Sequence, residues 1–248
     1  VRFAVRISFN GSSYFGWQSQ EGGNTVQDEI EAALNLRYGR EILISGCCRT
    51  DSGVHANDFV FHFDYEDDIR DDFIYNLNKM LPSGIAFRSI NRVSDHFHAR
   101  FDAISRSYIY RIHSVKNPFL NGLSYYFPPL IKADSNVIIQ ACELIKSFKE
   151  FYPFCKSNTD VKTMTCDVSK IEWKADEISG EYTFSIVSDR FLRGMVRLIV
   201  GACINAGLGK LSLNEIEDAM KIQARLDKSL SVPAHGLYLN EIKYLTLD

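Results

Sequence analysis

VRFAVRISF, residues Val1–Phe9, alternates without a break. Val1, Phe3, Val5, Ile7 and Phe9 point one way and Arg2, Ala4, Arg6 and Ser8 the other, the period of a half-buried strand. Gly11, Gly16, Gly22 and Gly23 then mark a loop. Thr25 stands three residues before Asp28, like a helix cap with its acid. Val26, Ile30, Ala33 and Leu34 follow at helical spacing, so Thr25–Tyr38 reads as an amphipathic helix. Glu41–Ser45 (EILIS) reads as a short strand, and Asp58–Phe63 alternates through Phe59, Phe61 and Phe63. Phe73, Leu77 and Met80 predict a second helix ending before Pro82 and Gly84, and Ile85–Val93 a further strand. By Val93 the order is β-α-β-β-α-β, that of a ferredoxin-like unit.

The remainder repeats that order. Ser105–His113 is a strand with Tyr108, Tyr110 and Ile112 on one face. Ser135–Phe148 reads as a helix through Val137, Ala141, Leu144 and Ile145. Val168–Trp173 and Tyr182–Val187 read as strands, Phe191–Ala206 as a long helix, Leu213–Ala224 as a shorter one and Gly236–Tyr244 as a closing strand. No residue-level repeat accompanies the repeated order. The expected fold is α+β, two pseudo-symmetric ferredoxin-like halves, residues 1–102 and 103–248. No low-complexity linker separates them, so one continuous structure is expected.

The chain has 248 residues, enough to bury a core without staples. Its 46% hydrophobic and 24% charged content excludes disordered and collagen-like classes. Met195–Ala206 is apolar but short and interrupted by Arg197, so no membrane span is expected. No long apolar run follows the first basic residues, so no export signal is expected. With six sparse cysteines, that predicts reduced thiols in a cytoplasm rather than a disulfide scaffold. The net charge of −3 argues against a strongly basic, non-specific nucleic-acid binder. Yet Asp64–Asp72 (DYEDDIRDD) carries six acids and one arginine, which leaves the rest of the chain at +2. A local basic face is compatible with that balance.

The stretch with chemistry is Gly46–Ala56, GCCRTDSGVHA, a loop between two predicted strands. It offers the guanidinium of Arg49, the hydroxyls of Thr50 and Ser52, the carboxylate of Asp51 and the imidazole of His55. Loops on rigid scaffolds commonly carry catalytic groups. The plainer reading is a turn in which Asp51 caps the next element and Arg49 pairs with a surface acid. Chemistry alone favours that plainer reading.

RTDSGVHA resembles the active-site signature of the tRNA pseudouridine synthase A family. Phe9–Gln18 (FNGSSYFGWQ), Phe97–Tyr110 (FHARFDAISRSYIY), Phe191–Gly201 (FLRGMVRLIVG) and Ala234–Leu239 (AHGLYL) are similar to four further segments of that family, in the same order. The resemblance implies two ferredoxin-like halves joined through their sheets into one mainly antiparallel sheet, with a catalytic cleft between them. It implies a homodimer acting on tRNA, turning uridines on the 3′ side of the anticodon stem-loop into pseudouridine without metal or cofactor.

Residue roles follow from the same resemblance. Asp51 is the essential carboxylate, attacking ribose or base covalently or acting as a base at the ribose. Arg49 helps the uridine leave its stack. Tyr108 stacks on the uracil, and its hydroxyl assists proton removal at C5; Tyr110 is the core residue of the pair. Arg190, Arg193 and Arg197 share one face of the predicted helix. Arg197 is placed against Asp51, holding it ionised, and Arg190 and Arg193 at phosphates. His55 contacts RNA or braces the loop, and bracing is favoured. His96 and His98 have same-face spacing but no third ligand, and the cysteines lack paired zinc spacing.

The pattern is departed from at Asn10 (Asp in the family), at Cys48 (Gly) and in Phe151–Cys155 (FYPFC), where a loop is expected to meet RNA differently. Three competing classes stay open. A non-catalytic RNA-binding module leaves the Arg-Thr-Asp loop unexplained. A synthase with another RNA target shares every catalytic feature. A metal- or cofactor-dependent enzyme lacks any Walker or dinucleotide-binding glycine motif.

Overall fold

The computed structural model describes residues 1–67, 69–156, 162–226 and 230–247; Asp68 of the acidic run lies outside them. In chain order the elements are β1 (Arg2–Phe9), α1 (Val26–Tyr38), β2 (Ser45–Gly46), β3 (His55–Asp64), α2 (Phe73–Met80), β4 (Ile85–Val93), β5 (Ala103–His113), β6 (Tyr125–Tyr126), α3 (Ser135–Lys146), β7 (Val168–Asp176), β8 (Glu181–Ser188), α4 (Met195–Gly207), α5 (Leu213–Ile222) and β9 (Leu237–Tyr244). The chain divides into two compact units, Val1–Ile104 with Tyr238–Asp248, and Ser105–Leu237.

In the first unit β1 lies between β4 and β3, antiparallel to both. β2 continues antiparallel on one end of β3, at His62 and Phe61. The closing strand β9 runs parallel to the other end, at His55 and Ala56. Side chains reinforce that short ladder. Asp58 accepts from Arg6 (2.7 Å) and from the Ile242 N–H (3.1 Å), and Asn57 donates to Asn240 (3.1 Å). Helix α1 starts as its spacing predicts: Thr25 Oγ1 accepts from the Asp28 N–H at 3.2 Å.

The aromatic residues that alternate along β3 build the core beneath it. Phe59 stacks on Trp17 with centroids 3.9 Å apart, and Phe63 stacks on both Phe3 and Phe73. The opposite face of β3 is covered too. Val60 and His62 are buried there. Phe97 lies against His62, and Tyr244 of β9 lies against Phe97 and donates to the Ala99 carbonyl at 2.6 Å. The Phe97–Ala99 segment thus forms a lid on the second face.

One strand expectation fails. Residues 41–44 are not β-structure. Their backbone donors go to helix α1 instead: the Ile42 N–H donates to Asn35 Oδ1 (2.6 Å) and the Ile44 N–H to Glu31 Oε1 (3.1 Å). Side-chain acceptors satisfy the donors that a ladder would use, so the strand shrinks to β2.

In the second unit β8 lies between β5 and β7, antiparallel to both, and β6 runs parallel to β5. Helix α3 packs on α4, α5 and β7, burying Ile138, Ala141, Cys142 and Ile145. The predicted helix over Phe191–Ala206 begins four residues late. Gly194 sits at its N-terminal cap with φ +72°, and the Lys156 N–H donates to the Arg193 carbonyl. A left-handed residue cannot continue a right-handed helix backwards. Arg190 and Arg193 therefore lie off the helix, and the shared face with Arg197 does not form.

Residues 10–18 lie directly on the loop of residues 47–54 that leads into β3. The Gly11 N–H donates to His55 Nδ1 at 3.0 Å, and the Trp17 N–H to the Thr50 carbonyl at 3.3 Å. In return the Gly53 N–H and the Ser52 hydroxyl donate to the Tyr14 carbonyl. Gly11 has no room for a side chain: a Cβ there would lie 2.0 Å from the Val54 carbonyl oxygen. Gly11→Ala is therefore expected to cost about 1–3 kcal/mol, read as a lowered denaturant midpoint.

His62 yields a pH prediction. Its Nδ1 accepts from the Ala99 N–H at 3.2 Å. Burial, reinforced by the Arg2 and His98 charges, pushes its imidazole down to about 4. The unfolded imidazole titrates near 6.5, so between those values the unfolded chain binds the extra proton. Stability is then lost as pH falls from about 6.5 towards about 4. Urea midpoints taken across that window should drop for the parent protein and drop less for His62→Asn.

Candidate active site

The loop before β3 is held at three points. The Cys47 N–H donates to the Val60 carbonyl (2.8 Å), the Thr50 carbonyl accepts from Trp17, and the Val54 N–H donates to the Asp51 carbonyl (3.1 Å). The last bond closes a β-turn with Asp51 first and Gly53, at φ +80°, third. Between these anchors the side chains divide. Cys47 and Thr50 are buried, Asp51 and Cys48 are half-buried, and Arg49 and Ser52 are exposed. The loop therefore carries an exposed Arg49 and a half-buried Asp51 on a backbone that is fixed on both sides, the condition for a preorganised group. Thr50 Oγ1 is buried without a hydrogen-bond partner.

His55 does not face outward. It is 1% exposed, its ring stacks on Tyr238 at 4.4 Å, and its Nδ1 holds the Gly11 N–H. These contacts tie the start of β3 to residue 11 and to β9.

The motif departures have local explanations. Asn10 Oδ1 accepts from the Ser12 N–H at 3.0 Å, a role that a carboxylate would also fill. Cys48 does not adopt a left-handed backbone, so a side chain is tolerated where glycine stands in the family motif. Phe151, Pro153 and Phe154 are buried, while Tyr152 between them is exposed.

Tyr108, Arg197, Arg190 and Arg193 belong to the second unit. Tyr108 is opposite Ile186 on β8, and its ring meets Phe191 edge to face at 5.0 Å. Tyr110 is fully buried and donates to the Pro233 carbonyl at 2.7 Å; burial drives its phenol far above the ordinary range. Arg197, in the first turn of α4, donates from Nε to the Val232 carbonyl at 2.7 Å, while the Val232 N–H returns a bond to the Arg197 carbonyl. Two adjacent carbonyls, Val232 and Pro233, thus position Arg197 and Tyr110. Sequence reading missed them because a backbone acceptor carries no residue signature. Nearby, burial lowers the His235 imidazole, helped by the His113 and Arg197 charges.

Arg190 reaches the Thr163 carbonyl at 3.4 Å, and its N–H donates to Asp189 Oδ1. That carboxylate also accepts from the Asp167 N–H and the Ser188 hydroxyl. Arg193 is exposed. Among the described residues, no three His, Cys, Asp or Glu side chains converge as a metal site would need. What the loop offers is a carboxylate suited to nucleophilic or general-base work beside an exposed guanidinium.

Residues 148–245 match a family model described as tRNA pseudouridine synthase. The chain is 38% identical over 247 residues to the tRNA pseudouridine synthase A of Porphyromonas gingivalis, covering 98% of this chain and 97% of that protein. It is also 32% identical to the tRNA pseudouridine synthase A of Bacillus subtilis, covering 98% of this chain and 99% of that one. With such identity along nearly the whole of both chains, this protein belongs to the tRNA pseudouridine synthase A family.

Proposed function

We propose that this protein converts uridine to pseudouridine in the anticodon stem-loop of tRNA, with Asp51 as its essential carboxylate and without metal or cofactor. The observation that carries the reading is the loop itself: Asp51 stands on a turn clasped by residues 10–18, in a chain collinear with its relatives. In the isomerisation the N1–C1′ bond breaks and a C5–C1′ bond forms. The proton leaves C5 and N1 gains one, so no electrons are exchanged with any partner. Asp51 engages the ribose or the base, Arg49 holds the nucleotide out of its stack, Tyr108 stacks on the uracil and takes part in proton removal at C5, and Arg197 keeps the carboxylate charged.

The same reading has two ferredoxin-like halves meeting at a catalytic cleft. Its support in the first unit is the strand order β4-β1-β3-β2, antiparallel throughout, as a β-α-β-β-α-β unit would adopt. We place the protein in the cytoplasm as a homodimer; no described helix is long and apolar enough to cross a membrane.

Tritium release from tRNA labelled at uridine C5 tests the reaction. The parent protein should release it, and Asp51→Ala should lower the rate by about a thousandfold or more while retaining fold and tRNA binding. Binding without release from any tRNA would move the protein to the RNA-binding module, and equal release by both would remove Asp51 from the chemistry. In the same assay Arg197→Ala should lose about a hundredfold or more, the scale of removing one charge stabiliser, and Arg197→Lys less.

A further inference from the structure

An open hollow of about 210 Å³ lies in the first unit, lined by Trp17, Gln18, Arg49, His98, Arg100 and Phe101 among others. Its floor is rigid, because Trp17 is 1% exposed and stacked on Phe59. One wall is a chain of hydrogen bonds. Gln18 Nε2 donates to Gln27 Oε1 (2.8 Å), Gln27 Nε2 donates to Glu31 Oε1 (2.9 Å), and that oxygen also accepts the Ile44 N–H. The wall exists before any ligand arrives.

The rim combines cations with an aromatic face. Arg49 and Arg100 are exposed, and the Arg100 guanidinium lies 5.7 Å from the Phe101 ring centroid. Phe101 is 73% exposed, with its ring 4.3 Å from that of His98. Its turn is locked. The Phe101 and Asp102 N–H groups donate to the His98 carbonyl, the His98 N–H donates to Asp102 Oδ2, and the Arg100 N–H donates to His98 Nδ1. A neutral His98 therefore carries its proton on Nε2, as a donor. A large aromatic ring held outward on a fixed turn, beside two guanidiniums, matches the stacking-plus-charge pattern of single-stranded nucleic-acid recognition. The hollow is small for a drug-sized ligand and suits one base or phosphate.

We infer that this hollow docks one nucleotide flanking the reacting uridine, with its base on Phe101 and its phosphate between Arg49 and Arg100. The inference rests on the RNA-modifying reading above. It places the nucleotide next to the reacting one because Arg49 is two residues from Asp51, about 7 Å at most along the backbone.

The test uses the full-length protein and an anticodon stem-loop RNA labelled at uridine C5, measuring Kd, its salt dependence and KM. Phe101→Ala should weaken binding and raise KM by about fivefold or more with the salt slope retained, and Phe101→Tyr should restore both. Arg100→Gln should weaken binding and lower the slope of log K against log salt by about 0.7. Both side chains are exposed, so thermal unfolding should stay at the parent value. Binding by Phe101→Ala and Arg100→Gln within about twofold of the parent, below the scale of one lost stack, would overturn the inference. So would a parent protein that binds no RNA. Should the parent bind RNA but release no tritium, the synthase reading fails, while the loss of affinity in the variants still supports the docked nucleotide.

Discussion

The first unit depends on one buried contact, the Gly11 N–H donating to His55 Nδ1 with the Gly11 backbone pressed on the Val54 carbonyl. It joins the end of β1 to the start of β3, at the point where the catalytic-motif loop enters the sheet. An imidazole that accepts from a backbone N–H there is both satisfied and immobilised. Together with the bonds from Trp17 to Thr50 and from Gly53 and Ser52 to Tyr14, that joint holds the stretch that carries Arg49 and Asp51. The stack of His55 on Tyr238 carries the joint onto β9. A strand from the far end of the chain thereby supports a loop near its beginning.

Anchoring in the second unit uses the same economy. Arg197 and Tyr110 both end on carbonyls of the Val232–Pro233 segment. A half-buried guanidinium tied to a backbone oxygen gives up its freedom, so the cation is held in one place. Tyr108, two residues from Tyr110 on the same strand face, keeps its ring against Phe191. Both tyrosines are buried, Tyr108 at 8% exposure and Tyr110 completely.

Much of this was legible in the residues. The alternation of β1, the Thr25 cap, the aromatic face of β3 and the bounds of β4 were readable because each rests on local periodicity or capping. The strand expected over residues 41–45 was not, since Asn35 and Glu31 of α1 capture its donors, a tertiary competition that no window of five residues reveals. The helix expected from Phe191 ignored Gly194, whose positive φ stops it and takes Arg190 and Arg193 off the Arg197 face. At the site, residue types alone favoured a plain turn, and the loop stood out through its resemblance to a family signature. His55 was open to two readings in the sequence, and its burial against Gly11 and Tyr238 depends on contacts that no local pattern displays. The Val232 and Pro233 carbonyls were invisible, because any residue supplies a carbonyl.

On the function proposed above, the Asp51 loop directs pseudouridine formation to one place on tRNA. Mapping pseudouridine at nucleotide resolution, on unmodified tRNA incubated with the protein or with Asp51→Asn, tests it most directly. The parent protein should give new pseudouridine confined to the 3′ side of the anticodon stem-loop, and the variant none. Pseudouridine in another arm, or the same pattern from Asp51→Asn, would contradict it.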